Sequence, residues 1–275
     1  MNVISCSRRT DIPHRHAGWL YQRLLEGYAE WKAPRGTDRS VPLLPADVHS
    51  IVFWSKDYGP LLRDPRLTDL IQPLNPYFHL TVTGLGGGLC EPGIPAWREA
   101  SAQIGRLQSI FGEGRVSWRF DPILHWLEGG LARSNLELFP AIGAAAAGAG
   151  LRACTFSFAQ HYRKVRLRSL KTGIELVDPD PGEKLRLAGL LAAQAAELGL
   201  ELKSCADSSW VSVDGVATAS CIDGEMLNRL RGDGQKASLA RDCSQRQECG
   251  CTKSIDIGSY TQRCVKPACV YCYAK

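Results

Sequence analysis

The sequence predicts an α/β fold, a partial (β/α)6 TIM-like barrel with a C-terminal cysteine-rich tail. Three observations lead there. Short runs rich in β-branched and aromatic residues alternate with intervals long enough for helices. Charged and hydroxyl side chains gather just past each run, and six of the eleven cysteines crowd between Cys243 and Cys272.

The strands are expected at residues 2–7 (NVISCS), 50–55 (SIVFWS), 77–83 (YFHLTVT), 115–120 (RVSWRF), 153–158 (ACTFSF) and 200–205 (LELKSC). Between them, residues 14–27 put Ala17, Leu20, Leu24 and Leu25 on one helical face, and residues 96–111 do the same with Ile104, Leu107 and Ile110. The clearest helix begins at Asp180, a capping residue followed by Pro181 at the first helical position. Glu183 is placed to complete a capping box, and Gly199 supplies a left-handed stop. Strand–helix alternation implies parallel strands joined by right-handed crossovers. Six such units suit a partial barrel or an open doubly wound sheet, and the barrel is preferred. Residues 1–230 form the body. Residues 231–275 form a polar tether (231–247) and a metal-binding tail that packs on the barrel mouth.

A hydrophobic content of 44% permits a sizeable core, and a net charge of +5 permits an acidic partner without requiring one. The N-terminus lacks the apolar region of a signal peptide, and no run of eighteen apolar residues occurs, so no membrane partner is expected. The expected location is the cytoplasm, where thiols stay reduced. So many cysteines there indicate metal or redox chemistry before disulfides.

In parallel α/β folds the carboxyl ends of the strands form one face, and that face carries the chemistry. Here it would gather Ser7, Arg8 and Asp11 after the first strand, Lys56 and Asp57 after the second, Arg119 and Asp121 at the fourth, and Cys205 at the sixth. The glycine run at 83–93 reads as a mobile loop, and the basic run 161–171 as a solvated surface or a phosphate grip. His125, beside Trp126, reads as a structural residue. No Ser–His–Asp, P-loop or HExxH pattern is present.

Cys264, Cys269 and Cys272 are spaced C-x4-C-x2-C, with Pro267 in the first gap, and Cys249 and Cys251 form a C-x-C pair upstream. The close pair can meet one metal centre from a single turn. Three arrangements fit: a structural zinc ribbon completed by Cys249 or Cys251, a three-thiolate iron–sulfur cluster with one open iron, and a disulfide relay. In the first two, metal binding supplies the ordering energy that a terminal segment otherwise lacks.

The ending CVYCYA resembles the end of the cluster motif of radical S-adenosylmethionine (SAM) enzymes, particularly the spore photoproduct lyase-like branch. The chain as a whole is similar to an uncharacterised bacterial family, one of the domains of unknown function. The likeness rests on SRRTDIP (7–13), FWSK (53–56), WRFDPI (118–123) and the CGC…CVYCYA ending (249–274). The resemblance implies a barrel of radical SAM type whose Cys264, Cys269 and Cys272 hold a 4Fe–4S cluster. It implies SAM as cosubstrate, a one-electron reductant such as ferredoxin or flavodoxin, and a 5′-deoxyadenosyl radical that abstracts hydrogen from substrate. Tyr271 would lie near the adenine. Arg119, Asp121, Arg8 and Asp11 would be catalytic contacts, with Ser7 and Lys56 binding cosubstrate. Cys205, Cys221, Cys249 and Cys251 would hold a second iron–sulfur cluster or a zinc ion.

Two departures stand out. Radical SAM proteins usually carry C-x3-C-x2-C, and their motif usually follows the first barrel strand, whereas here it follows the last. The tail must therefore fold back over the mouth. A nucleic acid, a peptide and a small metabolite all remain open as substrate. The alternative is a zinc-stapled barrel that binds nucleic acid or a phosphorylated ligand without redox chemistry.

Overall fold

Eight strands lie side by side in one parallel sheet in the computed structural model, which describes residues 1–31, 39–205, 207–259, 262, 264 and 268–272. Pro267 lies outside the described residues. Counting the strands of this sheet alone, they are β1 (Asn2–Cys6), β2 (Val48–Ser55), β3 (Pro76–Thr81), β4 (Val116–Ile123), β5 (Ala153–Phe158), β6 (Glu201–Cys205), β7 (Val216–Ala219) and β8 (Ile255–Asp256). Their spatial order is β7-β6-β5-β4-β3-β2-β1-β8, parallel at every step. The order is sequential from β1 to β7, so it lacks the reversal that marks a doubly wound sheet. It does not close either: among the described residues β7 and β8 are free edges, and the parallel sheet has eight strands where six were expected. The two unforeseen strands are the shortest of the sheet and stand at its edges.

Alternation along each strand separates two faces. Ile4, Ile51, Phe53, Phe78, Trp118 and Phe120 pack with Leu20, Leu61, Ile104, Leu107 and Leu191 of the helices. On the opposite face Val3, Val52 and Tyr77 pack with Ile222, Leu227, Ala237, Cys249 and Cys251. Residues 221–251 thus cover the face opposite those helices, and the strands are buried on both sides, as parallel sheets require. Polar hooks hold that segment there. Arg115 donates to the carbonyls of Pro76 and Leu230 (3.0 and 2.9 Å), and Arg231 to that of His49 (2.6 Å). His79 donates through Nε2 to the Cys221 carbonyl and accepts at Nδ1 from Ser117, both at 2.6 Å. Burial, helped by Arg119, lowers its pKa to about 3, which matches the neutral ring this pattern needs. Within the 231–247 segment Ala237 packs on the sheet and Asp242 is buried, while most of the other residues are exposed.

The helix expected at 14–27 is two helices, Ile12–Arg15 and Ala17–Glu26, which meet at His16. The other two stand at Trp97–Phe111 and Pro181–Glu197. Asp180 accepts from the Glu183 amide at 3.0 Å, but the Glu183 carboxylate turns to Arg186, so the capping box is half formed. A small antiparallel sheet of His125–Glu128, Leu131–Ser134 and Ile174–Val177 flanks the body, and His125 is one of its structural residues. Its hairpin turns on Gly129 and Gly130, both at positive φ, as a two-residue type I′ turn demands. No helix among the described residues is long and apolar enough to cross a membrane.

Trp118 is the largest fully buried side chain. It stacks on Phe139 (5.1 Å) and donates its indole N–H to the Val82 carbonyl at 3.0 Å. Trp118→Ala should cost about 3–5 kcal/mol, read as a lower urea midpoint for the body. An unchanged midpoint would mean that the sheet–helix core does not govern stability.

Candidate functional site

The carboxyl ends of the strands open into a cavity of about 450 Å³, within the size range of small-molecule sites. The side chains nominated as ligands or contacts border it: Ser7, Arg8, Asp11, Lys56, Arg119, Asp121, Tyr271, and the cysteines at 205, 221, 249, 251, 264, 269 and 272, whereas Asp57 is not in its wall. Of the basic run 161–171 only Tyr162 appears in its wall, so that run does not supply a phosphate grip inside the cavity.

The loop after β1 spends its polar groups on the tail. Arg8 donates to Ser254 (3.0 Å) and through its amide to Asp256 (3.3 Å), with its guanidinium 5.4 Å from the Trp54 ring centre. Arg9 donates to the Gly258 carbonyl at 3.3 Å, and the Thr10 hydroxyl to that of Gln262. A Cβ on Gly258 would lie 1.9 Å from the Ser7 hydroxyl, so glycine alone lets the tail cross so near. Asp11 caps the helix behind it and accepts from Ser55 (2.6 Å) and from the Lys56 amide (2.9 Å). Both of its oxygens are occupied, and it acts as a brace between two strand-end loops. Burial raises its pKa against the pull of these hydrogen bonds.

Lys56 reaches a residue that the sequence did not nominate. Glu91 is 1% exposed, and it accepts from Lys56 Nζ (2.9 Å), Thr83 (2.7 Å) and the Tyr271 hydroxyl. Burial works to lower the Lys56 pKa, but Glu91, together with Cys269 and Asp121, offsets it and the net shift is upward. The Val270 amide donates to the Cys90 carbonyl at 3.0 Å, which fastens the tail to the same loop. The glycine-rich segment is thus tied to the tail through Cys90 and Glu91. Cys269 lies in this neighbourhood, and burial followed by Glu91 pushes its pKa up to about 12. The Cys272 amide donates to the Cys269 carbonyl, so the x2 spacing closes one turn.

Across the cavity, Arg119 is buried between Asp121, to which it donates, and Cys221 Sγ at 2.8 Å. Asp121 also accepts from Ser157. Burial would raise the Asp121 pKa, but Arg119 and Ser157 outweigh it, and the carboxylate stays ionised in the cavity wall. Contact with Cys221, against burial and with help from Arg119, draws the Cys205 thiol down to about 6.

A second pairing escaped the sequence because its partners stand far apart in the chain. His14 Nδ1 meets Asp57 Oδ2 at 2.9 Å, while Asp57 Oδ1 accepts from Gly59 and Gln103. The carboxylate orients the ring, whose buried Nε2 has no hydrogen-bond partner among the described residues and belongs to a side chain that borders the cavity. Among the described residues, no three His, Cys, Asp or Glu side chains are already disposed to close on one metal ion.

Fold and site together define a parallel α/β protein whose strand ends frame a cysteine-rich cavity. The chain belongs to the family described as Domain of unknown function (DUF1848), whose profile matches residues 3–274. No curated protein and no solved structure matches it.

Glu91→Ala should leave Lys56 charged, buried and unpaired, at a cost of about 3–5 kcal/mol. It should also release Tyr271, seen as faster hydrogen exchange at residues 268–272 than in the parent. Unchanged exchange there would show that the tail is held by other means.

Proposed function

We propose that the protein is an iron–sulfur enzyme of radical SAM type, with Cys264, Cys269 and Cys272 holding a 4Fe–4S cluster at the mouth of the sheet. One observation carries this: the three tail thiols border the same cavity as the charged side chains at the ends of β1, β2 and β4. The donor set fits the group. The three are soft, partly buried thiols, two of them on one turn. When bound, such a cluster supplies the electron for reductive cleavage of the carbon–sulfur bond of SAM.

The sheet order also supports the proposal. Because β8 pairs with the outer edge of β1, the cysteine motif follows the strand that comes first in space, although it comes last in the chain. The departure in chain order is then a permutation that leaves the spatial relation of motif to sheet intact. The partial barrel of radical SAM type is the finer fold assignment that goes with this reading.

The chain's own residues have separable tasks. Asp121, kept ionised by Arg119, presents a negative charge suited to the amino group of the cosubstrate. Tyr271, its hydroxyl held by Glu91 and its ring centre 5.6 Å from Lys56 Nζ, forms a flat wall suited to a purine.

Protein purified without oxygen should be brown, absorb broadly at about 400 nm, contain about four iron and four sulfide per chain, and cleave SAM when reduced. Cys269→Ala should lose the iron while the urea midpoint of the body stays unchanged. Colourless protein with zinc bound through the tail cysteines would overturn the proposal and favour the zinc-stapled binding module.

A further inference from the structure

Two thiols meet in the wall of the cavity. Cys205 ends β6 in register with Ala219 of β7, and Cys221 follows just beyond it. The pairing of β6 with β7 holds the two backbones side by side. Their sulfurs are 3.7 Å apart, in contact but not bonded. Both side chains border the cavity, Cys205 partly exposed and Cys221 buried.

We propose that Cys205 and Cys221 form a redox-active dithiol, which a small disulfide entering the cavity oxidises reversibly to a Cys205–Cys221 disulfide. For these two residues the dithiol takes the place of the second metal centre that the sequence resemblance implies. The proximity of the sulfurs carries the inference. Closing from 3.7 Å to a bond of about 2.0 Å is a movement on the scale of side chains, within reach of strand ends that are already paired. Cys251, a third thiol of the wall, has its sulfur engaged elsewhere and accepts from the Ile222 amide at 3.4 Å.

Exposure and charge divide the work between the two. Cys205, the more exposed, attacks one sulfur of the small disulfide as its thiolate. A mixed disulfide forms on Cys205, the incoming sulfur–sulfur bond breaks, and one small thiolate leaves. Cys221, its sulfur 2.8 Å from an Arg119 nitrogen, then attacks the Cys205 sulfur, and the second small thiolate leaves. A guanidinium at that distance favours the anionic form of the attacking sulfur. The two thiol protons pass to the departing thiolates. Two electrons move from the protein to the small disulfide, which ends as two thiols. Arg119 also donates to Asp121, so a change of state at the pair is felt at the cavity carboxylate.

The inference does not rest on the radical SAM reading, and its test needs no SAM. Full-length protein purified without oxygen is equilibrated with mercaptoethanol and its disulfide in varied ratio, quenched in acid, alkylated and mapped by mass spectrometry. The peptides bearing Cys205 and Cys221 should become cross-linked, with loss of two hydrogen atoms, as the disulfide fraction rises. They should separate again when the thiol is restored. Cys221→Ser should halt exchange at the mixed disulfide and raise mercaptoethanol-modified Cys205 about tenfold over the parent. Should that variant fail to fold, mapping of the parent protein reads the same pairing. Both thiols remaining open to alkylation at every ratio, or Cys221 linked to Cys249 or Cys251 instead, would overturn the proposal. So would a cross-link that excess thiol does not reopen, or a bound metal that must be chelated before either sulfur reacts.

Discussion

Two residues of backbone pairing decide where the end of this chain goes. Ile255 and Asp256 align with Ile4 and Ser5 on the open edge of β1, and the Ile257 amide extends the ladder to the Ser5 carbonyl at 3.0 Å. So short a strand cannot stand by itself. It is reinforced from the β1 loop, where Arg8, Arg9 and Ser7 embrace Ser254, Asp256 and Gly258, and the C-x4-C-x2-C segment emerges at the cavity as a result. Uncovered, β1 would present a bare row of N–H and C=O groups; the tail strand removes that liability along part of its length.

The cavity has two chemically distinct walls. One carries the tail thiols with Lys56 and Tyr271, and these last two are tied by hydrogen bonds to the buried carboxylate of Glu91. The other carries Arg119, Asp121 and four thiols beneath the ends of β6 and β7. On that side contact with Cys221, helped by Arg119, lowers the pKa of Cys205 while that of Cys221 itself is raised; on the tail side burial, followed by Glu91, raises that of Cys269.

Much of the fold was legible because six strands were long enough, and apolar or aromatic enough, to stand out. VATA (216–219) and the two residues of β8 were not, since short edge segments of small residues show no period. The Gly129–Gly130 hairpin signal was present in the sequence and went unread. The candidate site was legible as a set, because the rule that chemistry gathers at the carboxyl ends of parallel strands needs only the strand ends. Its pairings were not. Glu91 sits in a glycine-rich stretch that looks unstructured, and His14 and Asp57 belong to loops after different strands. Asp11 was nominated for chemistry because it lies at the mouth, and only the coordinates reveal that its oxygens are spent on Ser55, Lys56 and the helix start.

The partnership of β1 with β8 spans some 250 residues of chain. During synthesis β1 leaves the ribosome some 250 residues ahead of its companion, and over that stretch of translation its edge lacks this partner. The body can collapse around its helices in the meantime, but that edge stays open until the β8 segment arrives. Any inorganic cofactor held by Cys264, Cys269 and Cys272 can then load only after the segment that follows β8 has docked.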